Sequence, residues 1–200
     1  MRWIWLSIVG LWSLTAQAHP FSQEEYSLRT MVQVSEKGIR PLVVLEVPIP
    51  IALREIGATT DDPRDVKKRK INKYNQSQWD ALSAGLTFTV DGQKCQGSWL
   101  ALEHEANGKA AEGFFIYMVG FRFDKAPELK ADSIIEINNL SFADAPMVYS
   151  GSAYASDGWK VASSTALDIL QEHATAELSD PKRWSKDAAM RKMTIQLTKQ

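Results

Sequence analysis

Cysteine is almost missing from this chain: Cys95 is the single one among 200 residues. No disulfide can form within the chain, so it is no disulfide-stapled scaffold and its fold must rest on a hydrophobic core. The lone thiol reads as a small buried hydrophobe; pairing with a partner protein is the other option. Histidine is scarce as well, at three residues, and none lies within helical ligand spacing of another. Neither charge sign dominates: 23 Lys and Arg stand against 24 Asp and Glu, for a net charge of −1. That balance excludes a large field of one sign. Past Ala18 no apolar run approaches the ~20 residues that span a bilayer. The richest stretches, Leu42–Ile51 and Gly113–Phe121, are broken or bounded by Glu46, Pro48, Pro50 and Arg122. Glycine-rich phosphate loops and Gly-x-Ser-x-Gly are both absent. Ser179-Asp180-Pro181-Lys182 matches Ser-x-x-Lys by chance, since the companion Lys-Thr-Gly and Ser-Asp-Asn motifs are missing. No catalytic residue and no organic cofactor follow from these patterns.

The first stretch that is present is an export signal. Arg2 supplies an early cation, Trp3–Leu14 an apolar run, and Ala16-Gln17-Ala18 a small-x-small cleavage site. Residues 1–18 are therefore expected to be a signal peptide and 19–200 a single β-sandwich domain, periplasmic or secreted. The mature chain, roughly 180 residues, is long enough for its own core. It would have no transmembrane segment.

Strand patterning follows. Apolar residues alternate from Tyr26 to Val34. Glu36-Lys37-Gly38 makes a turn, and Pro41–Val47 reads as a central strand ended by Pro48 and Pro50. Asp61-Asp62-Pro63 opens a helix to about Ala84, with an Asp cap and Pro in the first turn. Lys67-Lys68-Arg69-Lys70 surround one turn of that helix and keep it on the surface. Leu86–Val90 turns at Asp91-Gly92 into a return strand that passes Cys95 to about Leu102, and Glu103–Glu112 is a polar loop. Phe114–Phe123 is a central strand. Ser133–Ile137, Met147–Ala155, Trp159–Ser163 and Met193–Leu197 complete the strands, with a second hairpin turn at Asp157-Gly158 and a short helix over Ala166–His173. The expected fold is mainly β: an antiparallel, Ig-like two-sheet sandwich with one inserted surface helix and a short C-terminal helix.

The chemistry concentrates at His19. As residue one of the mature chain it offers an α-amine and a ring nitrogen to one metal. Pro20 has no amide N–H, so copper cannot wrap into deprotonated backbone amides at that bond. Copper(II) favours such nitrogen donors, and only His104 and His173 can add imidazoles. The candidate metal ligands are His19, His104 and His173, and copper is the candidate ion. Trp79, Trp99, Trp159 and Trp184 could form a carbohydrate platform, but core packing accounts for them better. Export argues against nucleic acid as the partner of the Lys67–Lys70 run.

A mature N-terminal His on a β-sandwich, with Trp99–His104 followed by Phe114–Tyr117, resembles the copper site of lytic polysaccharide monooxygenases. That resemblance implies an oxidative enzyme acting on polysaccharide. Ala18-His19-Pro20-Phe21-Ser22 with Tyr26-Ser27-Leu28-Arg29 resembles the start of extracytoplasmic domains of HupE/UreJ-type membrane proteins, which implies service to a metal transporter. The leading expectation is a non-enzymatic exported protein that binds a transition metal or assists a membrane transporter or other envelope protein. The alternatives are the copper enzyme and a protein-interaction module without metal.

Overall fold

The computed structural model describes residues 24–57, 59, 61–107, 113–166, 168–170 and 184–199. The chain is mainly β, and its strands form two sheets around one core. The elements in order are β1 (Tyr26–Ser35), β2 (Gly38–Pro48), α1 (Ile49–Ile56), α2 (Arg64–Gly85), β3 (Leu86–Val90), β4 (Gln93–Lys94), β5 (Gly97–Asn107), β6 (Phe114–Phe123), β7 (Ile134–Asn139), β8 (Met147–Ala155), β9 (Trp159–Ser164), β10 (Asp168–Leu170) and β11 (Lys192–Lys199). The six-stranded sheet runs β10-β8-β1-β2-β6-β5 and the five-stranded sheet β4-β3-β7-β11-β9.

Alternation builds the core. Leu28, Val32 and Val34 of β1, Val43, Leu45 and Val47 of β2, and Tyr117 and Val119 of β6 face inward from the larger sheet. Phe88, Ile135, Ile137, Ile195 and Leu197 meet them from the smaller one. All are essentially buried. The period of two sends alternate side chains to one face, so each strand's apolar half closes the same core. β2 and β6 lie inside the sheet, as their apolar runs led one to expect.

Several expectations need correction. The sheets are not purely antiparallel: β1 pairs with β8, and β8 with β10, in parallel. The segment read as a C-terminal helix carries β10, because Asp168–Leu170 completes the open edge of β8. An unforeseen helix, α1, follows Pro48 directly. Pro50 sits in its first turn, where no amide donor is needed, and Gly57 closes it in the left-handed conformation (φ 60°). Asp62 does not cap α2; its carboxylate takes the Thr59 amide and Lys70 Nζ instead. The Asp91-Gly92 turn returns only two residues, β4, before the chain changes sheet through Cys95 and Gln96. Gly97 starts β5 at φ 152°, and a Cβ there would stand 2.2 Å from the Arg122 carbonyl oxygen. Asp157-Gly158 likewise connects strands of different sheets. β5 continues through the stretch read as a loop, to Asn107, because β6 offers a full row of partners.

Candidate functional site

The best-built polar site lies at the end of the sheets where β1 begins. Glu55, near the end of α1, accepts hydrogen bonds from Tyr26 Oη at 2.5 Å and from Tyr74 Oη at 2.7 Å. One carboxylate therefore joins a strand and both helices. Beneath it, Tyr117 Oη donates to Asn75 Oδ1 at 2.8 Å in a fully buried pair. Trp79 meets the Tyr117 ring edge-on. Burial raises the pKa of Tyr26, Tyr74 and Tyr117 well above the usual phenol range, and the nearby Glu55 charge raises all three further. These phenols remain donors at any physiological pH.

Outside this clamp is a recess of about 700 Å³, lined in part by Glu24, Tyr26, Arg54, Glu55, Phe142 and Asp144. Three carboxylates and one guanidinium face it. Phe142 stacks on Tyr26 with ring centroids 5.9 Å apart. It does so at φ 53°, a conformation that is strained for a bulky residue. Arg191 holds that loop in place: its guanidinium donates to the carbonyls of Asn139, Ser141 and Phe142 and lies over the Tyr149 ring. Ser141 Oγ donates to the Ala81 and Leu82 carbonyls, near the end of α2. Helix, loop and strand are thereby fixed around one wall.

The outer face of the larger sheet holds a second polar group. Arg29 is 9% exposed, and the Trp184 ring lies 5.1 Å from its guanidinium carbon. Burial pulls its pKa down while Glu46 on the neighbouring strand opposes the shift. Ser27 Oγ donates to Glu46 at 2.5 Å. A third location is a recess of about 560 Å³ beside Cys95, with Lys94, Lys125 and Lys130 on its rim. Burial raises the Cys95 pKa, which keeps the thiol protonated and a poor nucleophile.

Of the three candidate ligands, His19 and His173 lie outside the described residues, as does the expected cleavage site. His104 stands within β5, opposite Tyr117 and not at a strand end. β5 and β10, the strand three residues ahead of His173, are opposite edges of one six-stranded sheet. Five strand spacings put those edges about 24 Å apart. Among the described residues no three His, Cys, Asp or Glu side chains converge as metal ligands. The four tryptophans do not form one platform: Trp79, Trp99 and Trp159 pack on the core from different elements, and Trp184 covers Arg29. The cationic run is partly occupied locally, with Lys70 on Gly57 O and Asp62, and Arg69 on Asp65. Sequence patterning missed Glu55 and Phe142 because neither carries a motif. It took Tyr26 for an apolar position, although its phenol oxygen is bonded to Glu55.

No helix among the described residues is long and apolar enough to cross a membrane. The chain matches no protein-family model and no curated protein.

Proposed function

We propose that the mature chain is an exported, non-enzymatic metal-binding protein that serves an envelope transporter, with His19 as the anchor ligand and copper as the ion. The supporting observation is where β1 begins. Glu24 stands in the recess wall, and His19 precedes it by five residues. Five residues reach at most about 18 Å, which bounds how far His19 can lie from Glu24.

His104 is the second ligand in this reading. It is level with Tyr117, Leu45 and Leu28 across the sheet, near the start of β1. His173 lies outside the described residues and is left out of this reading. The carboxylates of Glu24, Glu55 and Asp144 make the neighbourhood favourable to a cation. Glu55 is engaged by two phenols, so it stiffens the wall. A stiff wall beside a tethered chelating terminus suits capture and hand-over of an ion.

The test is copper(II) titration of the exported protein, followed by electron paramagnetic resonance, after intact mass has confirmed a start at His19. His19→Ala and a one-residue extension ahead of His19 should both abolish tight binding, because the extension turns the α-amine into an amide. His104→Ala should weaken binding more than His173→Ala. Affinity should fall as pH drops through the amine and imidazole range, since ligands bind deprotonated. Affinity unchanged by His19→Ala would defeat the proposal, and copper-dependent peroxide production would replace it with the oxidative enzyme.

A further inference from the structure

We propose that the recess between α1 and the loop after β7 docks a basic segment of a partner polypeptide, one lysine side chain of which enters it. The recess holds about 700 Å³, the size of a small-molecule pocket and far more than a bare ion fills. Its wall has the two parts that a lysine side chain needs. Leu140, 64% exposed, and the half-buried Phe142 supply apolar surface for the stem. Glu24, Glu55 and Asp144 supply negative charge for the ammonium, and Arg54 is the one cation among the described lining residues.

Charge complementarity selects the occupant. Elsewhere on the described surface several carboxylates are met by cations of this chain: Glu25 by Lys186, Asp62 by Lys70, Asp65 by Arg69 and Glu136 by Lys192. Glu55 and Asp144 have no such partner among the described residues. Two neutral phenols hold Glu55 in position and leave its charge uncancelled. Each of its oxygens accepts one hydrogen bond and has capacity for another. Arg191 fixes the opposite wall through the carbonyls of Asn139, Ser141 and Phe142. A cation therefore meets groups that are already placed, and little ordering entropy opposes it.

Lysine fits this wall better than arginine. Its compact ammonium has three donors that can face separate carboxylates, and its four-carbon stem lies readily on apolar surface. The flat fork of arginine prefers both oxygens of one carboxylate, and both Glu55 oxygens already carry a phenol. A free amine would make the same charge contact but leave Leu140 uncovered, whereas a side chain on a peptide brings neighbours that cover it. Docking of this kind needs no metal at His19.

Amide NMR of the isotope-labelled exported protein tests this, with EDTA present so that no copper contributes. The probe is the peptide acetyl-Ala-Leu-Lys-Leu-Ala-amide, compared with peptides carrying norleucine or glutamate at the centre and with butylamine. The lysine peptide should shift the Arg54–Ile56 and Ala143–Ala145 amides saturably, about threefold or more tighter than the norleucine peptide or butylamine. The glutamate peptide should leave them unmoved. Asp144→Asn should weaken the lysine peptide about threefold and Arg54→Gln should tighten it by a similar factor. Loosening of the fold would not produce opposite signs. Equal affinity for the lysine and norleucine peptides would make the recess a plain apolar surface, and butylamine binding as tightly as the peptide would make it a small-amine site. Either result overturns the proposal, as does an absence of shifts or an affinity indifferent to both substitutions.

Discussion

The two ends of β6 are held by different physics. Near its start, Tyr117 is fixed by a directional bond to Asn75, next to the Glu55 clamp. Near its end, Phe121 and Phe123 sit in an aromatic group with Phe88 and Trp99, with centroids 5.0 to 5.5 Å apart and tilted or edge-on rings. The aromatic end gains from area removed from water, a term that tolerates small shifts. The polar end needs each donor and acceptor in place, because a buried group that loses its partner keeps its full desolvation cost. The recess lined by Glu55 and Phe142 lies at the hydrogen-bonded end, and the recess beside Cys95 and Lys125 lies past the aromatic end.

Phe88→Ala should have the largest effect. Phe88 is 1% exposed and contacts two other rings, so its truncation should cost about 3–5 kcal/mol in urea unfolding. A loss under about 1 kcal/mol would mean that the aromatic end carries little of the stability. Tyr117→Phe comes next. It keeps the ring but strands Asn75 Oδ1 in the core, at about 1–3 kcal/mol. Adding Asn75→Leu should recover part of that loss, and no recovery would break the claimed coupling between the two residues.

Glu55→Gln should cost less, about 1 kcal/mol, and its clearer signal is in alkaline titration. The phenols of Tyr26, Tyr74 and Tyr117 have raised pKa values in the folded state. Their contribution is therefore complete below about pH 10, the ordinary phenol value, and is lost as pH rises through the folded values. Replacing Glu55 removes one cause of the shift at Tyr26 and Tyr74, so phenolate absorbance should appear at lower pH. An identical titration would show that burial alone sets those values.

The smallest effect belongs to the surface pair Glu136 and Lys192. Lys192 lowers the Glu136 pKa chiefly through its hydrogen bond. A lowered carboxylate pKa gives stability that is present above the unfolded value and lost as pH falls through the folded one. Unfolding midpoints between about pH 2 and pH 5 should fall slightly less steeply for Glu136→Gln than for the native chain. Equal slopes would assign the acid sensitivity to other carboxylates.

The sequence by itself determined the strands whose one-faced alternation is strong, and Leu86–Val90, Phe114–Phe123 and Met147–Ala155 have the bounds that pattern gives. It also determined the long helix and its unburied cationic turn, because four consecutive charges leave no face to bury. Tertiary structure decided what local pattern cannot encode. Asp168–Leu170 became a strand because β8 had an edge to complete, and Glu103–Asn107 stayed in β5 because β6 ran alongside. Asn75 and Gln78 lie on the buried face of α2, where polarity disguises burial until the partner strand is in place. Glu55 became the centre of the recess only when α1, α2 and β1, far apart along the chain, brought two phenols to one carboxylate. Periodicity reports which face of an element is apolar, whereas a hydrogen bond between distant segments depends on where the whole chain sets its two atoms.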